Sequence, residues 1–211
     1  WNFPSNASDG TKVQGASVAL DPKTGAVRAI VGGRGQHVFR GYNRATQMKR
    51  QPGSTMKPLA VYSPALQSGY HYDSELSNKL QKFGKNGYEP KNVDNQYSNK
   101  IPMYEALAQS KNVPAVWLLD KIGVSKGVQS VENFGIHVNK SDQNLALALG
   151  GLLTGVSPMQ MARAYSAFAN EGNLPNQSYC ITKITDASGN VIAQNKNPGS
   201  HRIISTNTAK E

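Results

Sequence analysis

Alternating apolar and polar positions near the start of the chain predict a β-hairpin. Residues 13–20 and 26–31 are rich in Val, Ala, Leu and Ile. The segment between them, Asp21-Pro22-Lys23-Thr24-Gly25, has the composition of a tight turn. A second pair of short apolar runs, 179–184 and 191–194, flanks another turn-rich segment and predicts a second hairpin.

Helical spacing and helix-end signals occur in five segments: 51–67, 102–109, 115–122, 125–134 and 157–171. Pro64 should kink or end the first helix because it has no backbone N–H. Ser157-Pro158-Met159-Gln160 has the pattern of a capping box with proline at the first helical position. This last helix should bury a stripe of four residues: Met161, Ala164, Tyr165 and Phe168.

The remaining segments are polar. Residues 1–12 are turn-rich and are interpreted as a linker from a preceding domain, so that 13–211 form one domain. Residues 68–101 are rich in Asn, Gly, Tyr, Lys and Ser and predict a long surface excursion.

Charge and cysteine content limit the kinds of protein that this sequence can encode. The 211 residues include 23 Lys and Arg and 13 Asp and Glu, a net charge of +10 that favours anionic surroundings without choosing among nucleic acid, lipid and cell wall. One cysteine, Cys180, excludes an internal disulfide and a cysteine-cluster metal site. No apolar run is long enough to span a membrane, and no signal peptide is recognised. Because the chain begins at Trp1, it is interpreted as a piece of a longer protein.

Several common catalytic motifs are absent from the sequence. There is no phosphate-binding Gly-x-x-x-x-Gly-Lys-Ser/Thr loop, no His-Glu-x-x-His pair and no Gly-x-Ser-x-Gly turn. The four histidines, His37, His71, His137 and His201, are isolated in polar segments. A Ser-His-Asp hydrolase is therefore not supported.

Ser54-Thr55-Met56-Lys57, at the start of the first predicted helix, is a candidate nucleophile and base. Positions i and i+3 share a helix face, so the Lys57 amine can reach the Ser54 hydroxyl. A serine hydroxyl needs a nearby base, and a lysine serves if burial keeps it neutral. The N–H groups of a helix N-terminus suit a developing oxyanion.

Ser110-Lys111-Asn112 follows in a predicted helix break. In an extended loop, Ser110 and Asn112 would point the same way and face one pocket. Ser110 could relay a proton to a departing amine, and Asn112 could bind a substrate amide. Ser-x-x-Lys with Ser-x-Asn and Lys-Thr-Gly is the known signature of β-lactamases and penicillin-binding proteins.

The sequence resembles the transpeptidase domain of a bifunctional class A penicillin-binding protein of Gram-positive type. The resemblance extends beyond the motifs to six segments: 15–33, 42–47, 50–58, 105–116, 149–151 and 155–172. It implies an α+β fold, with an antiparallel sheet of about five strands flanked by helices and an active site at the sheet edge. The hairpin at 15–31 would supply outer strands, and the rest of the sheet would lie outside this chain.

The resemblance also implies the reaction. Ser54 would attack the bond between two terminal D-alanines of a peptidoglycan stem peptide, with Lys57 and Ser110 moving protons and Asn112 binding substrate. β-Lactams would acylate the same serine, and no metal or organic cofactor would be needed. The domain would lie at the extracellular face of the cytoplasmic membrane, held by an N-terminal anchor not present here, with a glycosyltransferase domain in the same protein.

The chain departs from the family pattern at two places. Val93 stands where the family usually has an aromatic residue. No Lys-Thr-Gly follows Ser110, and Lys23-Thr24-Gly25 lies in the predicted turn of the first hairpin, where Gly25 serves the turn. We expect the true triplet in a C-terminal segment outside this chain, and therefore an incomplete domain.

Two alternatives remain open from the sequence. A β-lactamase or D,D-carboxypeptidase would use the same nucleophile and pass the acyl group to water. A non-enzymatic basic binding module would bind polyanions in a salt-dependent way and would not react with penicillin. Nucleic acid is not expected as a partner, on the premise that aromatic residues do not interleave with the basic runs.

Overall fold

The computed structural model describes residue 3 and residues 6–35, 38–84, 86–195 and 198–211. Its helices, labelled α1 to α6 in chain order, are Ser63–Leu66, Met103–Ala108, Asn112–Ile122, Val124–Asn133, Pro158–Ala169 and Thr206–Lys210. Its strands, β1 to β8, are Ser17–Leu20, Val27–Val31, Glu75–Asn78, Ser98–Pro102, Asn173–Pro175, Lys183–Thr185, Val191–Gln194 and Ser200–Arg202.

The strands form four antiparallel pairs: β1–β2, β3–β4, β5–β8 and β6–β7. The mixture of helices and antiparallel strands confirms the α+β class. Within the described residues, each sheet has two strands, so the larger sheet implied by the resemblance is not assembled from them. Both predicted hairpins are present, as β1–β2 and β6–β7, although β6 begins later than predicted.

The turn of the first hairpin is organised by Asp21. Its Oδ1 accepts from the backbone N–H of Lys23 at 3.0 Å and of Thr24 at 3.1 Å, and its Oδ2 accepts from Arg28 at 2.6 Å. Gly25 follows with φ of +77°, a conformation that favours glycine. Gly25, the last residue of the Lys-Thr-Gly triplet, therefore has a structural role in this turn.

The predicted helix at 51–67 is three short helical segments in series. Gly53–Met56 is a 3₁₀ turn, Pro58–Tyr62 is a π-helix, and α1 follows directly. Pro58 and Pro64 have no N–H, so neither donates the i→i−4 hydrogen bond of a regular α-helix. The Ser63 N–H bonds instead to the Pro58 carbonyl in π register. Pro64 therefore changes the helix type and does not end the helix.

Helix α4 provides the hydrogen bond that Pro64 cannot. In π register the Leu59 carbonyl would accept from residue 64, which is proline. The Ser130 hydroxyl donates to that carbonyl at 2.6 Å from a buried position. Close approach of the two segments requires Gly127, since a Cβ there would lie 2.7 Å from the Ala60 carbonyl oxygen.

The core lies between this segment and helices α3, α4 and α5. Met56, Leu59, Leu119 and Val131 are fully buried in it. The capping box at the start of α5 is confirmed, with Ser157 and Gln160 bonded reciprocally. The predicted stripe on α5 is confirmed in part: Ala164 is fully buried and Met161 and Phe168 pack on the core, whereas Tyr165 is partly exposed.

The prediction that 68–101 is a surface excursion is confirmed in part: most of its described residues are exposed, but the segment also contributes a hairpin to the core. The segment contains β3 and begins β4, and this hairpin buries Leu76 and Ile101. It also buries the polar residues Asn78 and Asn92. The Asn and Ser composition is typical of a loop, but two of the asparagines are bonded to each other in the interior: Asn92 Nδ2 donates to Asn78 Oδ1 at 2.7 Å.

In the basic region after β2, arginine side chains contact aromatic rings, which was not expected. Three arginines lie over aromatic rings: Arg34 over Phe3 at 4.3 Å, Arg40 over Phe39 at 5.3 Å and Arg44 over Tyr42 at 5.5 Å. The premise that aromatic residues are not interleaved with basic residues is therefore wrong. The expectation that nucleic acid is not a partner stays a prediction.

Some predictions fall on residues that the structure does not describe. These are part of the predicted linker (Trp1, Asn2, Pro4 and Ser5) and His37. Residues 6–16 contain no helix or strand. Among the described residues, none of the helices has the length and hydropathy needed to cross a membrane.

Ser130→Ala tests the link between α4 and the π-helix. The substitution leaves the buried Leu59 carbonyl without its donor, so the free energy of unfolding should fall by about 1–3 kcal/mol. Ser188→Ala, in the exposed β6–β7 turn, is the control and should change it by less than about 0.5 kcal/mol. Urea unfolding measures both, and equal values for the two variants would contradict the account.

Candidate active site

Ser54 and Lys57 are held by the 3₁₀ turn Gly53–Met56. In such a turn, side chains at i and i+3 are nearly eclipsed, so both lie on one side of it. Ser54 is exposed, whereas Lys57 is 1% exposed. Gly150 packs directly behind the turn, since a Cβ there would lie 2.8 Å from Gly53 Cα. The backbone that presents Ser54 is thus supported by close packing.

The Lys57 amine is bonded to the second motif. Nζ lies 2.7 Å from the Ser110 carbonyl oxygen, 2.8 Å from Asn112 Oδ1 and 3.2 Å from Ser110 Oγ. The structure therefore brings together three of the four predicted site residues around one nitrogen. They come from positions more than 50 residues apart in the sequence.

These contacts suit a neutral amine as well as an ammonium ion. A neutral amine has two N–H groups and one lone pair. The two oxygens that can only accept, the Ser110 carbonyl and Asn112 Oδ1, take the two N–H groups. The Ser110 hydroxyl can then donate to the lone pair. Burial lowers the pKa of Lys57 to about 8, because the charged form loses its hydration.

The expected contact between Ser54 and Lys57 is not formed as a hydrogen bond. Among the described residues, the side-chain hydrogen bonds of Lys57 go to Ser110 and Asn112. Ser54 precedes Lys57 by three residues, so the two side chains share one side of the turn. Catalytic hydrogen bonds are often long before substrate binds, so the geometry retains Ser54 as a candidate.

The backbone of the second motif differs from the predicted extended loop. Ser110 has φ of +52°, Lys111 is extended, and Asn112 is already the first residue of α3. Pro114 lies in the first turn of α3, where a missing N–H is tolerated, so the proline does not delay the helix. Ser110 and Asn112 converge on Lys57 because of this left-handed residue and not because of strand-like alternation.

The Asn112 side chain has fewer free hydrogen-bonding groups for a substrate than expected. Its Oδ1 accepts from Lys57, and its Nδ2 donates to the Lys91 carbonyl at 2.8 Å. One lone pair and one N–H of the amide remain for a substrate. The predicted role in substrate binding stays a prediction, while its role in holding Lys57 is visible in the structure.

Comparison with known proteins identifies the family. Residues 15–211 match the penicillin binding protein transpeptidase domain family. The chain belongs to this family. Penicillin-binding protein 2a of Streptococcus pneumoniae is 45% identical over 215 residues, covering 98% of this chain and 28% of that protein. The chain thus spans about a quarter of that relative's length.

Solved structures of penicillin-binding proteins share the fold. Penicillin-binding protein 1A from Haemophilus influenzae has a TM-score of 0.75 and 32% identity, covering 86% of this chain and 27% of that one. The PonA1 protein from Mycobacterium tuberculosis, in complex with penicillin V, has a TM-score of 0.77 and 25% identity. That match covers 92% of this chain and 52% of the PonA1 chain.

Val93 and Asp94 lie on the loop before the second motif. Val93, at the position where an aromatic residue was expected, is 90% exposed on the loop that precedes the second motif. Beside it, Asp94 pairs with Lys111 at 2.5 Å, and the Lys111 side chain is 5% exposed. Among the described residues, no group of His, Cys, Asp and Glu is arranged to hold a metal ion.

Sequence reasoning missed three supporting residues: Asn92, Asp94 and Tyr165. The Tyr165 hydroxyl on α5 donates to the Thr55 carbonyl at 2.7 Å, beside Ser54. Helical spacing placed Tyr165 among the core residues. Its hydroxyl function had no local signal, because its partner is 110 residues away.

Tyr165→Phe tests this support of the nucleophile turn. The variant keeps the ring and loses the donor to the Thr55 carbonyl, so the free energy of unfolding should fall by about 1 kcal/mol. Tyr104→Phe, at an exposed tyrosine, is the matched control and should be close to unchanged. Urea unfolding of both variants is the measurement, and no loss in Tyr165→Phe would show that the hydrogen bond contributes nothing.

Proposed function

We propose that this chain is the acyl-enzyme-forming part of a D,D-transpeptidase that crosslinks peptidoglycan stem peptides. The observation that carries the proposal is the buried Lys57 amine, bonded to Ser110 and Asn112 one helical turn from the exposed Ser54. Membership of the penicillin-binding protein transpeptidase domain family supports it. So does the complex of PonA1 with penicillin V, since PonA1 shares the fold.

Acylation uses Lys57 as the base. The Ser54 hydroxyl loses its proton to the neutral amine, and Oγ attacks the carbonyl carbon of the penultimate D-alanine. The N–H groups at the start of the helical turn face the developing oxyanion. The Lys57 proton passes through the Ser110 hydroxyl to the peptide nitrogen, the C–N bond breaks, and D-alanine leaves as a neutral amine.

Deacylation reverses the proton path. An amine from a neighbouring stem peptide attacks the ester carbonyl, and its proton returns through Ser110 and Lys57 to the Ser54 oxygen. The new peptide bond is the crosslink, and the enzyme is restored. A β-lactam acylates Ser54 in the same way, but its leaving group stays attached to the acyl moiety.

We also propose what kind of full-length protein contains this domain. We assign it to the bifunctional class A type, with a glycosyltransferase domain and an N-terminal membrane anchor, at the extracellular face of the cytoplasmic membrane. The resemblance to class A proteins and the greater length of the S. pneumoniae relative support this assignment. The net charge of +10 suits the anionic polymers and lipids of that location.

Ser54→Ala is the direct test of the nucleophile. In the protein expressed with its natural flanking sequence, the variant should lose all labelling by a fluorescent penicillin, because no other group forms the ester. Ser188→Ala, in the exposed turn, should be labelled like the unmodified protein. Mass spectrometry of the penicillin adduct locates the site. Labelling that survives in Ser54→Ala would reject the assignment.

The pH dependence of acylation tests Lys57 as the base. Below its pKa the amine is protonated and cannot accept the Ser54 proton, so the acylation rate should rise with pH and level off above about 8. Lys57→Arg should lose about 10²–10⁴-fold in rate, because arginine is never neutral in this range. Stopped-flow measurement with a chromogenic β-lactam checks both. An active Lys57→Arg variant would exclude the lysine as base.

We also propose that the domain is completed by a Lys-Thr-Gly strand after residue 211. Lys23-Thr24-Gly25 lies in the β1–β2 turn, organised by Asp21, which supports a structural origin for that triplet. Residues 1–211 expressed alone should therefore be acylated poorly, and a version extended through the triplet should be acylated well. Full acylation of 1–211 alone would count against this proposal. So would a loss of acylation when Lys23→Ala is made in the extended protein.

A further inference from the structure

Asn92 is 2% exposed, and its side-chain amide makes four hydrogen bonds. Oδ1 accepts from the backbone N–H of Asn112 at 2.9 Å and of Val113 at 3.0 Å. Nδ2 donates to Asn78 Oδ1 and to the Gln96 carbonyl, both at 2.7 Å. An amide has two lone pairs and two N–H groups, so its capacity is fully used.

This amide caps helix α3 from a distant place in the chain. The first N–H groups of a helix have no partners within the helix. Lys111, at the N-cap position of α3, makes no side-chain cap hydrogen bond. Asn92 supplies the acceptor for the first two N–H groups of α3. It therefore fixes the backbone of Asn112, the residue whose side chain holds Lys57.

The same loop also orients the Asn112 side chain. The Lys91 carbonyl accepts from Asn112 Nδ2 at 2.8 Å, which turns Oδ1 toward Lys57. On the other side of Asn92, Asp94 pairs with the buried Lys111 at 2.5 Å. Residues 91, 92 and 94 thus hold the second motif at three points.

We propose that Asn92 is a positioning residue for acylation, which caps α3 so that Asn112 and Ser110 keep the Lys57 amine in place. This inference rests on the proposed function. The amide acts through Asn112 and does not touch the reacting atoms. A loss of the cap would let the start of α3 fray and would release the acceptors that orient the amine.

Asparagine at this position differs from aspartate in two ways that matter. Aspartate keeps both acceptors for α3 but has no N–H for Asn78 or Gln96. It also adds a negative charge near an amine that must be neutral. Among the described residues, Lys57 has no ion-pair partner, and the charges of Asp94 and Lys111 are paired with each other. An aspartate here would therefore be a new unpaired charge.

Three variants separate positioning from general stability. Asn92→Ala removes the cap, Asn92→Asp keeps the acceptors and adds the charge, and Asn170→Ala is the control. Asn170 is partly buried at the end of α5 and donates to the Asn173 carbonyl at 3.0 Å, outside the site. Each is compared with the unmodified protein for acylation by a chromogenic β-lactam across pH, and for urea unfolding under the same conditions.

Asn92→Ala should lower the acylation rate by about 10- to 100-fold at temperatures where the protein remains folded. Asn92→Asp should move the rising limb of the pH profile to higher pH, because a negative charge favours the ammonium form of Lys57. Asn170→Ala should keep both the rate and the profile.

Two results would overturn the inference. One is an unchanged rate in folded Asn92→Ala. The other is a loss in both Asn92 variants that equals their unfolded fraction, with no shift of the pH profile in Asn92→Asp. Failure of the proposed function is a separate outcome, because it would appear as an absence of Ser54 acylation in the unmodified protein.

Discussion

Burial of one lysine amine determines how the site is organised. Lys57 is 1% exposed, and a buried amine is held in the charged form only at a cost, so burial lowers its pKa to about 8. The same burial requires hydrogen-bonding partners for its N–H groups. Ser110 and Asn112 provide them, and the two motifs are therefore joined through this nitrogen.

Polar side chains inside the fold support that arrangement at positions where regular secondary structure leaves backbone groups unpaired. Ser130 bonds to the Leu59 carbonyl, which proline leaves without a donor. Asn92 bonds to the first N–H groups of α3. Tyr165 bonds to the Thr55 carbonyl beside the nucleophile turn. In each case a residue far away in the sequence satisfies a group that the local helix cannot, which is expected for buried polar atoms.

Local sequence patterns and short motifs predict several turns and helix ends of this protein and its candidate site residues. The turn with Gly25 and the Ser157–Gln160 capping box are predicted by local sequence and confirmed by the structure, and the sequence also nominates Ser54, Lys57, Ser110 and Asn112 as candidate site residues. These features depend on neighbours within a few positions, or on a resemblance carried by residue identity. The segment 68–101 has a loop-like composition of Asn and Ser, which did not indicate its hairpin or the burial of Asn78 and Asn92 by tertiary packing.

Sequence alone determined the α+β class, the candidate nucleophile and the hairpin whose turn contains Lys23-Thr24-Gly25. The tertiary structure decided which atoms meet: that Lys57 bonds to Ser110 and Asn112, that Ser110 is left-handed, and that Asn92 caps α3. The reason is physical. A turn or a capping box is stabilised by interactions within a few residues. The pKa of Lys57 and the capping of α3 depend on burial and on partners 20 to 55 residues away, which composition and spacing do not specify.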